Sequence, residues 1–121
     1  MARYLQAATT VASRADASRI ARALVERRLA ACVQVVGPIQ STYRWKGRIE
    51  TAREWLCLMK TTRGRYAELE AALLNLHPYE LPEVVSVAFA GGSRGYLEWL
   101  SEALGGAKPR RKTAGGRKGA C

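Results

Sequence analysis

The sequence predicts an α+β fold, a four-stranded antiparallel sheet with helices on one face, and three observations predict it. Runs of strand-like alternation and runs of helical spacing follow one another as strand, helix, strand, strand, helix, strand, with one more helical run at the end. The two middle strands meet at a short "KG" turn, so they read as a hairpin. The chain of 121 residues is near the commonest size of one domain. Together these give a ferredoxin-like βαββαβ sandwich with an extended central hairpin and a C-terminal helix.

Residues 2–10 alternate loosely and read as the first strand. Ser13-Arg14-Ala15-Asp16 then fits a capping box, in which a hydroxyl and a carboxylate satisfy the free amides of a helix start. Ala17, Ile20, Ala21, Leu24 and Val25 recur at helical spacing, with Arg19, Arg22, Glu26 and Arg27 on the wet face. In the second strand Val33 and Val35 share a face. Gly37-Pro38 interrupts it, and because proline cannot donate to a ladder a bulge or kink is expected there. Ile39, Ser41, Tyr43 and Trp45 continue on one face to the Lys46-Gly47 turn. The return strand ends in "WLCLM", apolar on both faces as in a doubly buried strand.

Tyr66, Leu69, Leu73 and Leu76 mark a second amphipathic helix, and "EVVSVAFA" reads as a last core strand. Gly91-Gly92 turns the chain, Ser93 offers a cap, and Tyr96, Leu97, Leu100 and Leu104 give a short third helix. The hairpin is long for such a sandwich. At about 3.3 Å per residue its arms outrun the outer strands, exposing Tyr43, Trp45 and Ile49. Together with a bare sheet face, that apolar area predicts self-association.

The net charge of +10 is unevenly placed. The tail from Gly105, "GGAKPRRKTAGGRKGAC", holds six of the twenty lysines and arginines and no acid. The rest carries fourteen basic and ten acidic residues, a modest excess. The division expected is a folded domain over residues 1–104 and a basic, disordered tail over 105–121 that touches nucleic acid only non-specifically. No apolar run approaches the roughly 18 residues a bilayer crossing takes, so no membrane partner is expected. "MARYLQAATT" has neither the apolar core nor the cleavage site of a signal peptide, so the cytoplasm is the expected location.

Cys32, Cys57 and Cys121 are too scattered for a disulfide framework or a zinc site. The first two read as buried core residues and the last as a free terminal thiol. No RNA-recognition signature or Walker-type phosphate loop is present, and "GGSRG" (91–95) is explained by a turn into a capped helix. His77 is the only candidate for a base titrating near neutrality, and no thiol lies in an electropositive segment. No catalytic residue is assigned and no enzymatic activity is expected.

"HPYELPE" (77–83) holds that histidine between two helix-breaking prolines. Pro78 and Pro82 push His77 and Leu81 out of helical conformation and fix two φ angles, giving a stiff segment. It suits a rigid connector and a ligand wall equally. One imidazole is short of the three or four ligands of a copper or zinc site, which neighbouring chains would have to complete. Lys60, at a strand end, reads as a snorkelling residue, a counter-charge for Glu80 or an anion contact; Glu50 and Glu54 read as solvated or as inter-subunit partners.

The segments "A..IA..LVE.RLAACVQV" (17–35), "YRWKG.IE" (43–50), "EWL...KTT" (54–62), "HPYE.PE" (77–83) and "YL.WL" (96–100), in this order, resemble the CutA family of divalent-cation tolerance proteins. The resemblance implies a homotrimer built through the long hairpins, an architecture also similar to the trimeric nitrogen-regulatory PII proteins. It implies a part in tolerance of divalent metal, copper in particular, and in the response to it. Copper-binding members carry a cysteine at the end of the first strand, where this chain has Thr9, and two adjacent histidines where it has Leu76-His77. The metal ligands carried over are therefore His77 and Glu83. The alternative is a PII-like signalling module that binds a small anion in inter-subunit clefts lined by Trp45, Lys60, Tyr79 and Glu80.

Overall fold

The computed structural model describes residues 2–105 and 119–121. Seven elements follow in order: β1 (Tyr4–Val11), α1 (Arg14–Glu26), β2 (Cys32–Trp45), β3 (Arg48–Thr62), α2 (Arg63–Leu76), β4 (Val85–Ala88) and α3 (Arg94–Ala103). The strands form one antiparallel sheet in the order β2-β3-β1-β4.

β1 alternates strictly, with Leu5, Ala7, Thr9 and Val11 buried toward α1 and α2. Ile20 and Leu24 of α1, Cys57 and Met59 of β3, and Leu69 and Leu73 of α2 complete that core. The hydroxyl half of the expected capping box forms at the start of α1, the Asp16 amide donating to Ser13 Oγ at 3.0 Å, while the Asp16 carboxylate meets Arg19 at 3.3 Å. The helix stops after Glu26, where Arg27 caps it and Arg28 turns left-handed (φ 57°), so that the Leu29 amide reaches back to the Leu24 carbonyl at 2.9 Å. Val25, expected on the core side, lies at the margin of the buried stripe and is 42% exposed.

The hairpin is as long as its pattern suggests. β1 pairs with β3 only as far as Val11 opposite Trp55. Beyond it, Ile39 to Trp45 pair with Arg48 to Glu54 and, among the described residues, with no third strand, an overhang of about 20 Å. The register shifts between Val36 and Ile39, at the expected Gly37-Pro38 irregularity. Gly37 is needed there for space, since a Cβ would run into the Trp55 indole. The tip turns through Lys46 (φ 49°) and Gly47 (φ 81°), two successive left-handed residues, which suits the twist of the flanking strands.

Four expectations are corrected. The last strand is not a core strand: β4 is four residues long, exposed along its length, and among the described residues pairs with β1 alone. Its apolar residues serve an edge, where Val85 and Val87 are 51% and 62% exposed. The helices do not share one face, because α3 places Ser101 on Tyr4 (2.9 Å) and Tyr96 over Lys60, side chains that alternate away from α1 and α2. Ser93 makes no side-chain cap. Cys121 is not free but bonded to Cys32, bringing the chain's last residue to the start of β2. Residues 106–118 of the expected basic tail lie outside the described residues. No described helix is long and apolar enough to cross a membrane.

Candidate functional site

Pro78 has no amide hydrogen to continue α2, so the helix ends at His77, whose backbone is already extended (φ −76°, ψ 135°). That geometry turns the imidazole inward, and it is 8% exposed. Nδ1 accepts the Tyr79 amide at 3.1 Å, so the ring hydrogen is on Nε2, which donates to the Thr10 carbonyl at 2.9 Å. The ring thus ties the loop to itself and to the end of β1. Burial pushes its pKa below the usual histidine value, with the Thr10 carbonyl only partly opposing.

The next side chain extends the chain of contacts. The Tyr79 ring lies 4.8 Å from that of His77, and its hydroxyl donates to Glu54 Oε2 on β3 at 2.6 Å. Burial first, and then the Glu54 carboxylate, holds the phenol far above its ordinary pKa, so it stays a donor. Glu54 itself is only 5% exposed. Thr10, His77, Tyr79 and Glu54 therefore brace β1, the loop and the projecting hairpin against one another.

Above this brace lies a cleft of about 600 Å³ walled by Tyr43, Trp45, Glu54, Tyr79, Glu80 and Glu83. Three carboxylates and three aromatic rings make it acidic and partly apolar. Lys46, at the hairpin tip, reaches over Trp45 with its Nζ 5.5 Å from the ring centroid and 3.9 Å from Glu80.

Four of the six residues singled out in the sequence, Trp45, Tyr79, Glu80 and Glu83, thus share one cleft. Two do not. His77 supports the cleft without lining it, and Lys60 lies on another part of β3, opposite Cys32 and Gln6, with its ammonium over Tyr96. Glu80 finds its lysine in Lys46 instead. Glu54 is the residue whose weight the sequence understates; its one signal is an acid abutting the apolar "WLCLM" run.

Among the described residues no three His, Cys, Asp or Glu side chains gather as metal ligands. Both nitrogens of His77 are engaged. Thr9 points into the core opposite Cys57, its hydroxyl without a partner among the described residues. Burial pushes the Cys57 thiol up to about 11, which leaves it inert near neutrality.

Residues 5–103 match the model of the family described as "CutA1 divalent ion tolerance protein". The chain is 47% identical over 96 residues to the divalent-cation tolerance protein CutA of Thermus thermophilus, covering 79% of this chain and 93% of that one. It is 43% identical over 86 residues to a CutA homolog of Xenopus laevis, covering 71% of this chain but 57% of the longer relative. The solved structure of a divalent cation tolerance protein from Thermus thermophilus superposes with a TM-score of 0.82 at 44% identity, covering 84% of this chain and 99% of that one.

Proposed function

Because the chain belongs to the CutA1 divalent ion tolerance family, we propose that it acts as a homotrimer in the tolerance of divalent metal ions, copper among them, and in the response to them. The single observation that carries this is the family match, which spans the sheet and all three helices.

Support for self-association comes from the overhanging hairpin and the open edge. Ile49 is 70% and Tyr43 44% exposed on the overhang, and among the described residues the 14-residue β2 and the short β4, with Leu81, Val85 and Val87 beside it, have unpaired outer edges. A monomer rarely leaves so much apolar area and an edge as long as that of β2 in water. We read the strand order as ferredoxin-like, with three copies packed through their hairpins. Light scattering should return three times the 13.3 kDa of one chain; a mass near one chain removes the trimer.

A resident copper centre does not fit the residues of one chain. His77 offers no free nitrogen and Glu83 stands on the cleft wall without a soft or imidazole neighbour. Metal contact through His77 and Glu83 therefore requires the imidazole to release the Thr10 carbonyl or the Tyr79 amide. Calorimetry with Cu(II) on the wild type and His77→Ala tests that contact, and equal affinities remove His77 from it. The tolerance role has its own test: a strain lacking its family member should regain growth under copper challenge when it expresses this chain. No gain at any copper level refutes the role.

The rival reading, a signalling module for a small anion, has less support because the cleft contains three carboxylates and not Lys60. A thermal-shift screen with nucleotides and organic anions should give no stabilisation. The cytoplasm is the proposed location, with polyanion contacts confined to non-specific ones by the basic tail. In a reducing compartment the Cys32–Cys121 bridge would be open, since cytosolic thiols are kept reduced.

A further inference from the structure

Three features of the cleft converge on one class of ligand. Glu54 is a carboxylate 5% exposed, and the donor it meets is the Tyr79 hydroxyl. Among the described residues no lysine or arginine pairs with Glu54 or with Glu83. A buried carboxylate is costly unless a counter-charge approaches it, and the cleft is the side from which one can.

The aromatic walls add the second feature. Tyr43, Trp45 and Tyr79 line the same cleft as the carboxylates, and ring faces attract organic cations. The third is an ammonium already seated at the mouth. Lys46 Nζ lies 5.5 Å from the Trp45 ring centroid and 3.9 Å from Glu80, on a side chain 70% exposed. The volume of about 600 Å³ suits a small organic molecule, and ring walls add little for a hydrated metal ion.

We propose that this cleft binds a small organic cation bearing a primary ammonium or guanidinium group, the charged head paired with Glu54 and the stem lying between Trp45 and Tyr79. Lys46 is then a competitor supplied by the chain itself. The site goes beyond the metal-tolerance reading, and its test contains a chelator, so the two stand or fall separately.

The test is calorimetric titration of the full chain with agmatine in EDTA, beside 4-aminobutyrate, which replaces one cationic end with a carboxylate. Agmatine should bind and 4-aminobutyrate should bind at least tenfold more weakly. Glu54→Gln, which keeps an acceptor for Tyr79, should lower agmatine affinity at least tenfold, and Trp45→Ala should lower it several-fold. Lys46→Ala should raise it by removing the competitor, an effect that general loosening of the hairpin would not produce. No agmatine heat in either the wild type or Lys46→Ala overturns the proposal, as it would if a neighbouring copy filled the cleft with its own cation. Equal binding of the two probes, or full affinity in Glu54→Gln, overturns it as well.

Discussion

Replacing His77 with alanine removes the strut between the end of β1 and the loop that follows α2. The imidazole satisfies the Tyr79 amide and the Thr10 carbonyl in a site 8% exposed. A buried group left without its partner costs about 1–3 kcal/mol. The amide loses its acceptor outright, while the carbonyl keeps a second lone pair, so the expected loss is about 2–4 kcal/mol at pH 7.5. With a urea slope of about 2 kcal/mol per molar, the middle of the usual range, the midpoint should fall by about 1–2 M.

The same strut depends on pH, and the sign follows from its depressed pKa. The unfolded chain takes up a proton as the pH falls through 6.5, before the folded chain does, so acid favours unfolding. The contribution of His77 is complete above that value and is lost progressively below it. The assay is urea unfolding at one fixed protein concentration, followed by tryptophan fluorescence between pH 7.5 and 5. The gap between wild type and His77→Ala should be widest at pH 7.5 and shrink as the pH falls. A constant gap, or equal midpoints throughout, would refute the strut.

Three further outcomes are expected. Gly37→Ala drives a methyl group into the Trp55 indole and should cost about 1–3 kcal/mol, read as a lower urea midpoint; an unchanged midpoint contradicts the close approach. In alkaline spectrophotometric titration Tyr79→Phe should abolish the last phenol to ionise, since burial and Glu54 hold it highest; loss of an early phenol instead contradicts that placement. Thiol titration without reductant should find Cys57 silent in the folded chain and one thiol per chain on unfolding, rising to three after reduction. Three thiols without reductant contradict the Cys32–Cys121 bond.

The parts of the fold legible in the sequence are those decided by neighbours a few residues apart. The Ser13 cap, the Gly37-Pro38 irregularity and the Lys46-Gly47 turn are local chemistry, and each forms where its residues stand. The last strand is misplaced by its pattern because "EVVSVAFA" is apolar in both phases of its alternation, so periodicity cannot separate an open edge from a core. The cleft is half legible. Trp45, Tyr79, Glu80 and Glu83 come together, but Lys60 does not, because it stands six residues, about 20 Å, along β3 from Glu54, and how far along the strand the loop after α2 packs leaves no mark in sequence spacing. The Glu54–Tyr79 bond spans 25 positions, and only packing of the loop on the hairpin reveals it. The self-association proposed above rests on apolar area and open strand edges, without a partner surface to name.

The two-residue hairpin tip also sets how this chain can change in length. Because Lys46 and Gly47 close the strands directly, with Trp45 opposite Arg48, neither arm can grow alone without breaking every pairing above the insertion. Adding one residue to each arm keeps the ladder but turns each side chain beyond it to the opposite face. Only two residues per arm preserve both, so the overhang lengthens or shortens in increments of about 6.6 Å. Homologues and engineered variants that keep the tip should therefore differ by four residues at a time in this hairpin. The reach of the overhang is a stepped quantity, and intermediate lengths must bring a new bulge with them.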